Sequence, residues 1–297
     1  MISDNAIIYK LIDWVRIDKL NWFYLSSNPS AIQLLEANPD KIDWYCLSLN
    51  PNAIHLLEAN PDKINWSKLS SNPNAIDLLE RNLDKIDWSA LSRNPNAIHL
   101  LEQNLDKINW GLLSSNPNAI HLLEKNPDKL YWSLLSGNPN AIHLIEQNQD
   151  KINWYYLSSN PNAIHLIERN LDKVNWCVLS YNTSPNAIKL FENNINRINW
   201  TILSSNPMAI QLLEKNKDKL NSIWLSSNIN TMHLLEQNQE NIDWSRLSNN
   251  LSLFTKKINC KFLKEKMDVL REELIMKCMH PARLERWIEM GGDIDDF

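Results

Sequence analysis

Six histidines recur at one position of a repeated pattern, and their type and spacing suggest chemistry. They are His55, His99, His121, His143, His165 and His233. A shared zinc ion needs ligand nitrogens about 4 Å apart, whereas neighbouring helices lie about 8–10 Å apart, so the pattern argues against a metal ladder. Because Gln33, Asp77 and Lys189 fill the same place in other units, we interpret it as a solvated helix face. An acid-triggered partner switch is the alternative.

No other set of residues points to catalysis. The glycines are Gly111, Gly137 and the pair 291–292, so no phosphate-binding loop can be assembled. The four cysteines lie far apart without Cys-x-x-Cys spacing, which favours a reducing compartment over a disulfide framework or a metal knuckle. Every candidate serine or histidine belongs to a repeated position. We therefore predict no enzymatic activity, no metal and no cofactor.

The composition is that of a folded, acidic protein. The 297 residues are 43% apolar, and 30 Lys and Arg stand against 35 Asp and Glu. The net charge of −5 weighs against binding to phosphate backbones. A row of lysines could still attract them, but each lysine follows an Asp that we expect to neutralise it; they are Lys63, Lys85, Lys107, Lys129, Lys151 and Lys173. No run of about 18 apolar residues and no leader pattern occurs. These features predict an intracellular protein without a membrane partner.

Tryptophans mark an internal repeat. Eight of them follow one another at intervals of 22 residues, namely Trp22, Trp44, Trp66, Trp88, Trp110, Trp132, Trp154 and Trp176. Trp200 comes 24 residues later because Thr183 and Ser184 are inserted, Ser222 takes the Trp place in the next unit, and Trp244 marks the last. Periodicity of this length is typical of stacked-repeat proteins. Eleven repeats span residues 17–254.

Each repeat contains residues that are typical of helix termini. In residues 62–83, Asn65 is a suitable N-cap for a helix over Trp66–Ser70, and Asn72-Pro73 predicts a second helix from Pro73 to about Glu80. Asn82 should end it in a left-handed conformation. A repeat of two short helices cannot bury its apolar faces alone, so neighbours must stack.

The sequence therefore predicts an all-α fold, an α-solenoid of about eleven helix-turn-helix repeats. Helix layers about 8–10 Å apart would make a curved rod on the order of 100 Å long. The competing leucine-rich-repeat horseshoe needs a Leu-x-x-Leu-x-Leu strand that these units lack. The ends of an open solenoid need caps, so we expect an N-terminal capping helix in residues 1–16. Residues 255–297 should hold capping helices over 261–277 and 281–290 and an acidic tail.

A solenoid binds its partner through positions that vary between repeats, because the constant positions are needed for stacking. The two positions after each Trp are unusually apolar, and helix geometry turns them away from the Trp and Leu face, which we expect to be core. We predict an exposed aromatic surface; a second helix layer covering these positions is the alternative. Its candidate partner-binding residues are Phe23, Tyr24, Tyr45, Tyr131, Tyr155, Tyr156, Tyr181 and Trp224.

The repeat, Asp-Lys-Ile-Asn-Trp-x-x-Leu-Ser-x-Asn-Pro-Asn-Ala-Ile-x-Leu-Leu-Glu as at 62–80 and 106–124, resembles a repeat family abundant in mimivirus-like giant DNA viruses of amoebae. The ending Gly-Gly-Asp-Ile-Asp-Asp-Phe at 291–297 looks like an element that many such viral proteins carry. The family brings no established activity. The resemblance implies a viral protein in the cytoplasm of an infected host. Ser222, Tyr131 and the insertion at 183–184 depart from the pattern.

Together these patterns favour a non-catalytic scaffold that binds a protein or peptide. The second hypothesis is a modular RNA-binding protein that reads bases with successive helical repeats, against which the acidity weighs. An enzyme whose chemistry lies in residues 261–297 is a third, and that segment has one histidine and no paired catalytic residues. A homo-oligomer formed through an exposed edge is compatible with all three.

Overall fold

The computed structural model describes residues 7–278, 280, 283, 286, 289 and 290. The chain divides into two units, one over Ile12–Phe254 and a smaller one that combines residues 1–11 with 255–297. The predicted all-α repeat architecture is confirmed: short helices recur in pairs over the larger unit and pack against their neighbours.

The first helix of each repeat, the Trp helix, begins at the position marked by Trp. The residue before it caps the helix: the Asn65 side chain accepts a hydrogen bond from the Lys68 amide at 3.0 Å, as the sequence predicts. The Trp helices are Trp22–Ser26, Trp44–Leu47, Trp66–Ser70, Trp88–Ser92, Trp110–Leu113, Trp132–Ser136, Trp154–Ser159, Trp176–Leu179, Trp200–Leu203, Ser222–Leu225 and Trp244–Ser248.

The second helices begin later than predicted. Asn72 accepts from the Asn74 amide at 3.0 Å, but residues 73–75 form a turn and the α-helix starts at Ile76. The Asn-Pro pair forms a tight Asx turn, and α-helical hydrogen bonding begins only after this turn. The second helices are Ile32–Glu36, Ile54–Ala59, Ile76–Glu80, Ile98–Glu102, Ile120–Lys125, Ile142–Gln147, Ile164–Glu168, Pro185–Asn193, Ile210–Lys215 and Met232–Glu236.

Short 3-10 helices occupy the connections. They are Ile17–Lys19, Pro29–Ala31, Pro39–Lys41, Pro61–Lys63, Leu83–Lys85, Leu105–Lys107, Pro117–Ala119, Pro127–Lys129, Gln149–Lys151, Pro207–Ala209, Lys217–Lys219, Gln239–Asn241 and Leu251–Leu253. The asparagine that ends the second helix is not left-handed, which corrects the sequence prediction. Asn60 has φ −136°, and its side-chain amide donates to the Leu56 carbonyl at 2.9 Å. The side chain itself thus satisfies an orphan carbonyl of the helix end.

A ladder of buried asparagines joins neighbouring repeats. The amide nitrogen of Asn72 donates to the carbonyl oxygens of Ser48 and Asn50, at 3.1 and 3.0 Å. Nearby, the Ser48 hydroxyl donates to the Trp44 carbonyl at 2.8 Å and accepts from the Asn65 amide at 3.0 Å. The ladder asparagines are Asn28, Asn50, Asn72, Asn94, Asn116, Asn138, Asn160, Asn182, Asn206, Asn228 and Asn250.

The ladder has no free end within residues 12–254. Asn28 of the first repeat donates to the carbonyls of Ser248 and Asn250 of the eleventh, and helix Trp22–Ser26 packs on helix Trp244–Ser248. The repeats therefore form a closed ring rather than the open rod expected from the sequence. A ring has no terminal apolar faces, so it does not need the capping helices that an open solenoid needs.

The smaller unit contains a two-stranded sheet of Ile7–Leu11 and Phe254–Ile258. The helix predicted at the N-terminus is thus a strand over the described residues; β-branched and aromatic side chains at 7–9 suit strand pairing. The helix expected at 261–277 is present as Cys260–Cys278. The one expected at 281–290 falls mostly outside the described residues. No helix in the described part of the chain is long and apolar enough to cross a membrane.

Candidate binding surface

The Trp helices form the inner layer of the ring. The closest packing between neighbouring repeats is between Trp helices, such as Trp154–Ser159 against Trp176–Leu179. The inner layer of a closed ring has the shorter circumference, so its helices lie closest together. The variable positions of the Trp helices, which point away from the buried leucines such as Leu157, therefore line the concave surface.

One aromatic pair shows this curvature directly. The rings of Tyr181 in repeat eight and Trp224 in repeat ten meet edge to face, with centroids 6.1 Å apart. Two side chains separated by a whole repeat converge only on the concave side of a curved stack. Thr201 and Ser205, of the repeat between them, are small enough to permit the contact.

Aromatic residues of repeats seven to ten form what we call the aromatic cluster: Tyr155, Tyr156, Tyr181 and Trp224. The Tyr155 and Tyr156 rings make an edge-to-face contact at 5.3 Å, and the guanidinium of Arg246 lies 4.3 Å from the Trp224 ring centre. Burial, followed by the nearby Cys177, raises the pKa of Tyr181. Tyr155 remains 54% exposed and Tyr181 44%. Within residues 12–254, no second helix layer covers these side chains.

Of the other predicted aromatic residues, Phe23, Tyr24 and Tyr45 lie at the two positions after a Trp, as Tyr155 and Tyr156 do. Phe23 and Tyr24 make an edge-to-face pair at 5.2 Å, and Tyr45 is 46% exposed. Tyr131, in the N-cap position, makes no side-chain capping bond and lies against Gly111 of the preceding repeat, close to where a Cβ would stand. Because the ring is closed, repeat one adjoins repeat eleven, and these residues and the aromatic cluster belong to one arc.

Repeats three to five present a different surface. Their variable positions carry mostly small or polar residues, including Ser67, Ser89 and Gly111. The Ser67 hydroxyl donates to Asp87 at 2.6 Å, and this bond lowers the pKa of the Asp87 carboxyl. Arg93 is exposed here and makes no ion pair in the described part of the chain. The concave surface thus has an aromatic arc and a polar arc.

The tryptophans that mark the repeats are only partly buried, although the sequence predicts them to be core residues. The Trp side chains are mostly half-buried, and in the first nine repeats a cation of the next repeat covers the ring, as Lys63 does for Trp44 at 4.6 Å. The lysines do not form ion pairs with the preceding Asp anywhere in the described ranges, so the expected self-neutralisation is replaced by stacking. The pairs are Lys41–Trp22, Lys63–Trp44, Lys85–Trp66, Lys107–Trp88, Lys129–Trp110, Lys151–Trp132, Lys173–Trp154, Arg197–Trp176 and Lys219–Trp200.

The histidines lie on the second helices, away from the concave surface. Each is exposed, and its Nε2 contacts a glutamate of the preceding repeat, a pairing that the sequence analysis missed. The pairs are His55–Glu36, His99–Glu80, His121–Glu102, His143–Glu124, His165–Glu146 and His233–Glu214, at 2.6–3.0 Å. The constant spacing of 19 residues is the signal that would have revealed them. Among the described residues, no group of three or more metal-ligating side chains occurs.

The thiols differ in environment. Cys46, beside Tyr45 in the second repeat, is buried, and burial together with the charge of Asp43 raises the pKa of its thiol to about 11. Cys177 is exposed and accepts a long hydrogen bond from Asn199 at 3.5 Å. At Cys46, burial and Asp43 outweigh the opposing effect of Lys68, so this thiol is not activated as a nucleophile.

No family model, no curated protein and no solved structure matches the chain.

Proposed function

We propose that the ring is a non-catalytic scaffold that binds a protein or peptide partner on its concave surface. The observation that carries this proposal is the exposed aromatic cluster, where Tyr155 and Tyr181 keep about half of their surface in contact with solvent. Large exposed aromatic side chains with few rotatable bonds are typical anchors of protein interfaces. The resemblance to giant-virus repeats adds the expectation that the partner is met in the cytoplasm of an infected cell.

The rigidity of the ring supports this role. Each ladder asparagine ties two repeats through buried hydrogen bonds, so the aromatic side chains are held in place before a partner arrives. A preformed surface loses less conformational entropy on binding. Eleven inner helices about 8–10 Å apart would place their axes roughly 14–18 Å from the ring centre. An extended chain or an α-helix about 10–12 Å wide would fit inside.

The test is to isolate a partner from infected-cell lysate after nuclease treatment and to measure its binding by calorimetry. We expect Tyr155→Ala/Tyr156→Ala to weaken binding at least 100-fold, because truncating interface anchors costs 2 kcal/mol or more each. The matched control, His121→Ala/His143→Ala, alters the exposed histidine face and should bind as the native protein does. Equal binding by both variants would reject the concave surface as the site.

Single-stranded nucleic acid is the second candidate, and one observation favours it. The variable positions of the Trp helices and the position after their Ser carry three cations, Lys68, Arg93 and Arg246, and no Asp or Glu. Cations interleaved with aromatic rings can hold a nucleic-acid backbone and stack its bases. However, Lys68 stands over Tyr45 at 4.8 Å, and Arg246 lies 3.4 Å from Asp243. A fluorescent oligonucleotide whose binding falls steeply with salt would favour this candidate over a peptide.

A further inference from the structure

The second helices of neighbouring repeats are joined by two recurring bonds. We call the contact between the second helices of two neighbouring repeats a seam. At a regular seam, an asparagine amide donates to the proline carbonyl of the preceding repeat, as Asn162 does to Pro139 at 2.9 Å. A glutamate of the preceding repeat also contacts a histidine, as Glu146 does His165 at 2.8 Å. The asparagine bond recurs as Asn52–Pro29, Asn74–Pro51, Asn96–Pro73, Asn118–Pro95, Asn140–Pro117 and Asn230–Pro207.

The seam between repeats seven and eight lacks both bonds. Insertion of Thr183 and Ser184 shifts the second helix of repeat eight, which becomes a continuous α-helix over Pro185–Asn193. Within the described ranges, Asn186 then makes no bond to the Pro161 carbonyl. Lys189 replaces the histidine and forms no ion pair with Glu168. In the part of the chain that the structure describes, the Pro161 carbonyl and the Glu168 carboxylate therefore lack the partners that their counterparts have at the regular seams.

A cleft of about 450 Å³ opens between these groups. Its walls carry Pro161, Glu168, Ser184 and Asn186, and Ile164, which is 5% exposed, contributes an apolar surface. His165 also lines the cleft, but its Nε2 is engaged by Glu146. Of the other lining groups, the Pro161 carbonyl and the Glu168 carboxylate are acceptors, whereas the Ser184 hydroxyl and the Asn186 amide both accept and donate.

We propose that this cleft binds a primary alkylammonium group. An ammonium has three N–H donors, and the cleft offers three acceptors for them: the Glu168 carboxylate, the Pro161 carbonyl and the Ser184 hydroxyl. The attached alkyl chain packs on Ile164. A divalent metal ion fits less well, because it needs about six oxygen ligands and only one carboxylate is present. The ammonium belongs either to a free amine or to a lysine side chain of another protein.

The charged groups nearest to Glu168 in sequence and across the seam are Arg169 and Lys189. Neither lines the cleft. Lys189 lies on the facing helix and is exposed, and because it forms no ion pair with Glu168, a ligand need not displace its ammonium. Replacing Lys189 with histidine would restore the regular seam pair and occupy Glu168.

The experiment titrates the full chain with n-butylammonium, followed by ligand-observed NMR, with n-butanol as the uncharged control. We expect saturable binding of the ammonium, none of the alcohol, a loss of at least fivefold in affinity for Glu168→Gln, and a comparable loss for Lys189→His. The matched control is Glu102→Gln at a regular seam, which should leave binding unchanged. All three substitutions lie on the surface, and circular dichroism verifies their folds.

A second arm uses Nα-acetyl-lysine N-methylamide. Binding at least tenfold tighter than that of n-butylammonium identifies a lysine of a partner chain as the ligand, whereas equal affinities identify a free amine. Equal affinity of native protein and Glu168→Gln, unchanged binding by Lys189→His, or binding of the alcohol as strong as that of the ammonium would overturn the proposal. The aromatic cluster does not enter this assay, so the outcome is independent of the proposed function.

Discussion

The side-chain nitrogen of Asn28 lies 3.0 Å from the backbone carbonyl oxygen of Asn250, 222 residues away. The same bond joins each of the other ladder asparagines to the preceding repeat, as Asn50 is joined to Asn28 at 3.0 Å. The first repeat thus follows the eleventh as any repeat follows its predecessor. Closure gives all eleven repeats two neighbours and leaves none of them as an end.

Replacing a ladder asparagine should destabilise the protein strongly. Asn116 is 1% exposed, donates to two buried carbonyls, and accepts from the Asn118 amide. Asn116→Ala leaves these groups unpaired, and each such loss costs about 1–3 kcal/mol. We expect a fall of about 3 kcal/mol or more in the free energy of unfolding, measured by urea denaturation.

The matched control for this prediction is Asn118→Ala. Asn118 also bonds across a seam, at 2.9 Å to Pro95, but it is exposed, so water can replace its bond. We expect a loss below about 1 kcal/mol. If the two substitutions cost the same, burial of the ladder is not what stabilises the stack.

The repeats and their helices could be predicted from the sequence because the signals are local. Trp66–Ser70 has the predicted bounds, and its cap is the predicted Asn65. Closure could not be predicted, because it depends on the small rotation between successive repeats. A slight change in that rotation, accumulated over eleven repeats, turns a ring into an open spiral, and no single residue encodes it.

The aromatic surface was partly predictable for the same reason. Periodicity shows that Tyr155 and Tyr156 leave the Trp helix on the side opposite its buried leucine, and both are exposed. The contact of Tyr181 with Trp224 needs the curvature of the ring, which periodicity does not supply. The stacking of Lys63 on Trp44 also escaped prediction, because a Lys next to an Asp in sequence suggests an ion pair, whereas the lysine actually reaches the preceding repeat.

Lysines that cover the Trp rings should stabilise the ring modestly. The Lys107 ammonium lies 4.5 Å from the Trp88 ring centre, and a cation over an indole at a partly exposed site contributes about 0.5–1 kcal/mol. Lys107→Gln should lower the free energy of unfolding by about that amount. Lys125, exposed and without a ring beneath it in the described structure, provides the control: a loss of equal size for Lys125→Gln would show a general charge effect instead.

The Cys46 thiol should ionise far outside the neutral range. Burial, then the Asp43 carboxylate, raises its pKa from 9.0 to about 11, so its reaction with a disulfide reagent at pH 8 should be about 100-fold slower in the folded protein than in the urea-unfolded chain. The rate should keep rising until about pH 11. Because the unfolded thiol ionises first, stability should fall as the pH rises above about 9.

This prediction is measured on variants that keep one cysteine and carry Ser at the other cysteine positions. Asp43→Asn removes one of the two causes of the raised Cys46 pKa, so it should move the titration of this thiol to lower pH. Equal rates for Cys46 in the folded and in the urea-unfolded protein would show that the buried environment of Cys46 is absent in solution.

Ring closure can be trapped covalently. The Ser27 hydroxyl lies 3.2 Å from the Asn249 side-chain oxygen although 222 residues separate them, so the pair Ser27→Cys/Asn249→Cys, in a chain whose native cysteines are Ser, should form a disulfide on mild oxidation. A bridge forms only if the Cα atoms come within about 7 Å. Peptide mapping should find the link between residues 27 and 249 within one chain. The pair Ser27→Cys/Ser115→Cys, far apart around the ring, should stay reduced; if neither pair is linked within one chain, the repeats are open in solution.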